Sequence, residues 1–251
     1  MTGNPFASSR GGPPGAGVFV NTGSPVNAEI CVRAGFSWVM VDLEHGIGDE
    51  GSLVPMLWAT RAAGGYALVR VASHDPARIA RVLDLGADAI MLPSVDTAEQ
   101  ARRIVAAATW PPHGERGVSL QSRAGDYGSL SHAEVSNQDR RPYVVVQIET
   151  PEGLRNVREI AAVDGVSALF LGPTDLTHSM GIPGRFDVPE FREAVAAVAK
   201  SAAEAGKTAA VLAADAVAAE RYREDGYSLI AIGSDGGYLK AKAQSVLADV
   251  G

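Results

Sequence analysis

Eight times along this chain a short apolar run of strand length is followed by a stretch with helical punctuation, and the series has no break. The apolar runs are Gly17–Val20, Trp38–Leu43, Tyr66–Val71, Ala89–Leu92, Tyr143–Thr150, Val166–Leu171, Thr208–Ala213 and Leu229–Ile232. Ser24 and Pro25 open the first helix and Gly35 stops it. Further helices are expected over about Leu53–Ala63, Asp75–Leu85, Thr97–Ala108, Glu152–Ala162, Pro189–Ala205, Ala216–Glu224 and Tyr238–Ala248. The fifth run carries three consecutive valines, Val144 to Val146, and reads as a strand buried on both faces. Buried strands alternating with helices imply a parallel sheet, and eight units in a chain of 251 residues imply a closed (β/α)8 barrel. An open doubly wound sheet that binds dinucleotides would carry Gly-x-Gly-x-x-Gly after its first strand, and none is there.

The barrel is expected to be one domain over residues 15–251, preceded by a loose arm over residues 1–14. A formal net charge of -7 argues against nucleic acid or an anionic membrane as the main partner. No apolar run approaches the ~20 residues of a membrane span. One cysteine, Cys31, excludes an internal disulfide and suits a reducing cytoplasm. The segment from about Trp110 to Arg141 has little hydrophobic period; loops of that length serve as lids, binding loops or subunit contacts.

In this architecture the chemistry sits at the carboxyl ends of the strands. Those ends offer Phe19, then Asp42, Glu44 and His45, then Arg70, Pro93, Gln147 with Glu149, Asp175, Leu212 and Asp235. Val145, Gln147 and Glu149 share one face of their strand, because side chains two apart point the same way. Glu149 and Asp175 close neighbouring strands and are read as a pair holding one divalent metal ion. Magnesium, manganese or cobalt fits two carboxylates; zinc fits less well, with no His or Cys cluster present. Arg70 must meet an anion there, and a permanent donor suits a developing oxyanion. His45 can move a proton near neutral pH. The turn Gly172-Pro173-Thr174-Asp175 offers backbone amides to a carboxylate, and Gly233 to Gly237 is either a phosphate cradle or a plain turn.

Here the chain resembles the HpcH/HpaI family, the class II pyruvate aldolases. The matching pieces are Val41-Asp42-Leu43-Glu44-His45-Gly46, Val69-Arg70, Leu83-Asp84-Leu85-Gly86-Ala87, Arg116-Gly117-Val118, Val146-Gln147-Ile148-Glu149-Thr150 and Gly172-Pro173-Thr174-Asp175-Leu176. The likeness runs from about Gly17 to the C-terminus. It implies a barrel whose last helix is swapped onto a neighbour, in a hexamer built as a trimer of dimers. It also implies reversible cleavage of a 4-hydroxy-2-oxoacid to pyruvate and an aldehyde. On this resemblance Glu149 and Asp175 bind metal, Arg70 stabilises the enolate, His45 is the base and Asp84 its partner. Gln147, Gly172, Thr174, Asp175 and Leu212 then face the substrate. Residues 118–128 depart from diacid-degrading members, so the aldehyde stays open. Asp84 lies at the far end of its helix, so it is expected to serve a neighbour's site rather than its own.

Two other functions remain on these residues. A metal-dependent decarboxylase for oxaloacetate-like acids would form the same enolate. A barrel that only binds a chelated oxoacid would need the ligands but no base. No lysine stands at a strand end from the second to the seventh, which disfavours a Schiff base.

Overall fold

The structure is a computed structural model; it describes residues 15–137 and 141–250. The arm over residues 1–14 lies outside the described residues. The strands are β1 Ala16–Val20, β2 Trp38–Asp42, β3 Tyr66–Arg70, β4 Ala89–Leu92, β5 Tyr143–Ile148, β6 Val166–Leu171, β7 Thr208–Ala213 and β8 Leu229–Ser234. They close into one barrel in sequence order, and every neighbouring pair is parallel. The helices are α1 Pro25–Arg33, α2 Glu50–Ala63, α3 Pro76–Asp84, α4 Ala98–Ala108, α5 His132–Val135, α6 Pro151–Arg155, α7 Val157–Ala161, α8 Pro173–Ser179, α9 Pro189–Glu204, α10 Ala216–Glu224 and α11 Asp235–Ala248. The expected (β/α)8 barrel is the fold.

Strand alternation splits the core in two. Phe19, Trp38, Met40, Leu68, Met91, Val145 and Phe170 point inward and fill the barrel. Val39, Val41, Val69, Ile90, Val144, Val146 and Leu169 point outward beneath the helices. The inner layer is a packed plug, not a channel, with Trp38 fully buried and its indole N–H donating to the Gly15 carbonyl at 2.8 Å. Burying each large apolar side chain contributes about 1.5–3 kcal/mol.

Several elements differ from the sequence expectation. Helix α2 starts earlier, at Glu50, because Asp49 and Ser52 form a reciprocal cap. The single helix expected over Glu152–Ala162 is two, α6 and α7, broken at Asn156, whose side chain donates to the Asp96 carbonyl at 2.7 Å. The sequence reading places no helix between Asp175 and Pro189, yet α8 already contains Asp175. Pro173 reads as a strand breaker yet serves as the first residue of a helix capped by Gly172. The long connection after α4 holds a 3-10 turn at Arg123–Gly128 and the short α5. Helix α11 begins at Asp235, and Asp235 is its only buried residue. No helix among the described residues is long and apolar enough to cross a membrane.

Candidate active site

The inward parity of the plug continues past the last core residue of each strand, and there the side chains turn polar. Met40 is followed on its face by Asp42, Leu68 by Arg70, Val145 by Gln147 and Glu149, and Phe170 by Gly172. Strands β2 and β3 pair Asp42 directly opposite Arg70. Their side chains meet in a two-pronged ion pair, Arg70 Nε to Asp42 Oδ1 at 2.8 Å and Nη2 to Oδ2 at 2.6 Å. Arg70 Nη1 reaches Glu44 at 3.1 Å, and the guanidinium lies 5.5 Å from the centre of the Phe19 ring. Burial alone would push the Asp42 carboxyl up. The bonds and charge of Arg70, with the amides of Glu44 and His45, more than reverse that and hold it below its ordinary range. Burial likewise works against the Arg70 charge, and Asp42, Glu44 and Glu149 overcome it.

Glu149 stands one step beyond β5, 5% exposed. Its Oε1 accepts from the Ser94 amide at 2.6 Å and the Ser94 hydroxyl at 2.8 Å, and its Oε2 accepts from Gln147 Nε2. The β5–β6 register sets Ile148 beside Leu171, so Glu149 falls beside Gly172. A Cβ on Gly172 would come within 2.8 Å of Glu149 Oε2 and 2.9 Å of Gln147 Nε2. Burial raises the Glu149 carboxyl above its ordinary range; the Ser94 donors oppose this, and the charges of Asp175 and Glu44 add to it. Glu44 is raised too, by burial first and then by Asp42 and Asp175, against the pull of Arg70 and His45. Asp175 sits in the first turn of α8, exposed to the mouth, and its carboxylate makes no hydrogen bond or ion pair to another described residue.

One cavity of about 260 Å³ opens at this end of the barrel, and His45, Arg70, Gln147, Gly172, Thr174, Asp175 and Leu212 all line it, with Asp42. Glu149 is the buried carboxylate behind Gly172. The structure therefore gathers the sequence candidates in one place, with one exception. Asp84 ends α3, at the opposite face, and pairs with the buried Arg116 of its own chain at 2.5 Å. Arg116 in turn stacks on Trp110, 4.5 Å from the ring centre. The Gly233–Gly237 segment is the end of β8 and the first turn of α11, and no phosphate cradle. Its Asp235 carboxylate is buried and accepts from the Asn21 amide at 3.0 Å, Asn27 Nδ2 at 3.1 Å, the Gly236 amide at 2.8 Å and the Thr22 hydroxyl. An anion placed there would meet that charge.

Two residues of the site escaped sequence reading. Asn21 lines the cavity with a buried, unpartnered Oδ1; its parity with Phe19 was the available signal. Ser94 grips Glu149 from a left-handed backbone, φ 49, that nothing local in Pro93-Ser94-Val95 announces.

The cavity is rich in acceptors and poor in donors. Gln147 Oε1 and Asn21 Oδ1 are buried without partners, the charges of Asp175 and Glu44 help raise Glu149, that of Asp175 helps raise Glu44, and Arg70 gives three of its N–H groups to Asp42 and Glu44. A divalent cation is the group such a set lacks. Among the described residues no three His, Cys, Asp or Glu side chains are gathered to hold a metal by themselves. Two carboxylates completed by water and substrate are nevertheless an ordinary donor set for magnesium or manganese. The residues present fit such an ion.

A parallel barrel whose polar residues gather at the carboxyl ends of its strands has the layout of a barrel enzyme. Comparison with known proteins gives the kind. Residues 16–241 match the model of the HpcH/HpaI aldolase/citrate lyase family. A curated 5-keto-4-deoxy-D-glucarate aldolase of Klebsiella pneumoniae is 36% identical over 223 residues, covering 89% of this chain and 87% of its own length. A solved HpcH/HpaI aldolase/citrate lyase family protein of Burkholderia cenocepacia J2315 superposes with a TM-score of 0.89 at 33% identity, covering 95% of each chain. The HpcH/HpaI aldolase of Desulfitobacterium hafniense DCB-2 gives 0.87 at 30%, covering 94% of this chain and 92% of that one. The chain belongs to the HpcH/HpaI aldolase/citrate lyase family. It is a carbon–carbon lyase of the metal-dependent, class II aldolase type.

Proposed function

We propose that this enzyme cleaves 4-hydroxy-2-oxoacids to pyruvate, or a close analogue, and an aldehyde, and runs the reverse condensation. The supporting observation is Arg70, fixed by Asp42 and Glu44 at the wall of a cavity that Asp175, Gln147 and His45 share. Glu149 and Asp175 would hold a divalent ion, with magnesium, manganese or cobalt suited and zinc less so. Such an ion, when bound, supplies Lewis acidity to the 2-oxo group. Arg70 has spare N–H groups on Nη1 and Nη2 and donates to the 2-oxo oxygen as negative charge develops there. The first-turn amides of α8, at Thr174 and Asp175, have no partner within the helix and hold the substrate carboxylate. His45 takes the proton from the 4-hydroxyl, directly or through a water. The O–H pair then forms the aldehyde C=O, the C3–C4 bond breaks, and its electrons become the enolate double bond. Leu212 and Phe19 give the cavity an apolar wall.

The assembly in this reading is a homohexamer, a trimer of dimers working in the cytoplasm, with α11 laid across a neighbour. Helix α11 leaves Leu239 66% and Leu247 73% exposed, apolar surface that a neighbour would cover. Asp84 then serves the neighbour's His45. Mixing inactive His45→Ala and Asp84→Asn proteins through a dissociation step should recover activity in hybrids. No recovery would confine Asp84 to its bond with Arg116.

The function is tested by following exchange of pyruvate's methyl protons in heavy water. Exchange should require a divalent ion and should vanish in Glu149→Gln. Aldehyde release from 4-hydroxy-2-oxoacids, the substrate named for the curated relatives first among them, should show the same dependence. Carbon dioxide from oxaloacetate without aldehyde from any hydroxyacid would make the enzyme a decarboxylase. Metal-dependent oxoacid binding with no exchange would make it a binding protein.

A further inference from the structure

Glu149 is held more completely than a metal ligand has to be. A carboxylate offers about four lone-pair positions, two on each oxygen. The Ser94 amide and hydroxyl fill both on Oε1, at 2.6 and 2.8 Å. Gln147 Nε2 fills one on Oε2. One position on Oε2 remains, next to the space that Gly172 leaves by lacking a side chain.

Ser94 is held to this task from outside. It adopts φ 49, a conformation that costs a non-glycine residue free energy and persists only where surroundings enforce it. His74 Nε2 contacts the carbonyl of Pro93, just before it, at 2.6 Å. The amide of Val95, just after it, donates to the Gln147 carbonyl at 3.1 Å. Two residues on, Asp96 is tied to Asn156 and Thr150. The turn after β4 is thus held on both sides of Ser94, by His74 of the loop after β3 and by Gln147 of β5, and the serine's two donors converge on one oxygen.

We infer that Ser94 is a positioning residue that makes Glu149 a one-oxygen ligand and so sets which ions the site accepts. This rests on Glu149 being a metal ligand, as proposed above. Magnesium and manganese take octahedral shells in which a carboxylate gives a single oxygen. Calcium takes six to eight oxygens and often both oxygens of one carboxylate. With Oε1 saturated, Glu149 cannot offer the second. Ser94 is exposed at the barrel mouth, so its replacement leaves the core intact.

The test is calorimetric titration of substrate-free protein with magnesium, manganese and calcium chlorides. Wild type should prefer magnesium and manganese to calcium. Ser94→Ala removes the hydroxyl at an unchanged Cβ, and Ser94→Gly removes it while easing the backbone. Both should shift the calcium-to-magnesium affinity ratio toward calcium by about tenfold, the scale on which groups that orient metal ligands act. A loss of strain alone would move Ser94→Gly and leave Ser94→Ala at the wild-type ratio, which overturns the inference. So would wild-type ratios in both variants. Glu149→Gln separates the two levels. If it loses magnesium while both Ser94 variants keep the wild-type ratio, Ser94 is wrong and Glu149 stands. If Glu149→Gln binds magnesium like wild type, the ligand assignment itself falls.

Discussion

Arg70→Lys should lower kcat by about a hundredfold to a thousandfold, the range seen when one donor to a developing oxyanion is removed. Metal affinity measured without substrate should change only a few-fold, because Arg70 touches Asp42 and Glu44 and not Glu149. Lysine keeps the charge but not the fork, so it cannot hold both Asp42 oxygens and still present N–H groups to the cavity. Arg70→Ala adds a stability loss. Asp42 is fully buried at its side chain, and stripping the partner from a buried ion pair costs about 3–5 kcal/mol. The pH dependence of that loss has a definite sign. Asp42 is held below its ordinary 3.8, so its contribution is present above that pH and disappears as pH falls through the folded value. The deficit of Arg70→Ala, read from denaturant midpoints, should be largest at neutral pH and shrink below pH 4. Normal turnover in Arg70→Lys would remove the arginine from the chemistry and leave it a structural partner of Asp42.

The barrel could be read from the chain because its strands are short apolar runs and most of the helices between them carry a local stop or cap. Ser24-Pro25, Asp75-Pro76 and Thr97 are local signals, and each opens a helix as expected. The site could be read as far as parity carried it. Gln147 and Glu149 lie on one face of one strand, and Asp42 and Arg70 end adjacent strands, so their meeting needed no more than the order of strands. What stayed hidden depends on contacts far apart in sequence. Ser94 acts only because the turn after β4 is bent onto β5, and Pro93-Ser94 has no residue that favours a left-handed backbone. Arg116 claims Asp84 across 32 positions. Asp235, in a glycine-rich stretch that suggested an anion site, is a buried anion itself, satisfied by the loop after β1. Pro173 was ambiguous for a local reason, since proline both ends a strand and starts a helix.

Gly172→Ala should separate the site from the fold more cleanly than any change to a charged residue. The backbone at Gly172, φ -94 and ψ 88, lies outside the left-handed region, so alanine brings no penalty from a positive φ. Space is the whole objection. The new methyl carbon would lie 2.8 Å from both Cβ and Oε2 of Glu149, and 2.9 Å from Gln147 Nε2. Glu149 cannot retreat, since Ser94 grips its other oxygen and β5 fixes its backbone. The carboxylate must turn, and the one free position on Oε2 turns with it. Magnesium affinity should fall by about tenfold to a hundredfold, as when a ligand's supporting contacts are lost. Turnover at saturating metal should fall further, because Arg70 and the α8 amides would no longer address the same substrate atoms as the ion. The circular dichroism spectrum should match wild type and the melting temperature should drop only modestly, since inward residues below this level are untouched. Wild-type magnesium affinity in a folded Gly172→Ala protein would mean that the cation is held elsewhere, and Glu149 would then be a structural anchor for the turn at Ser94.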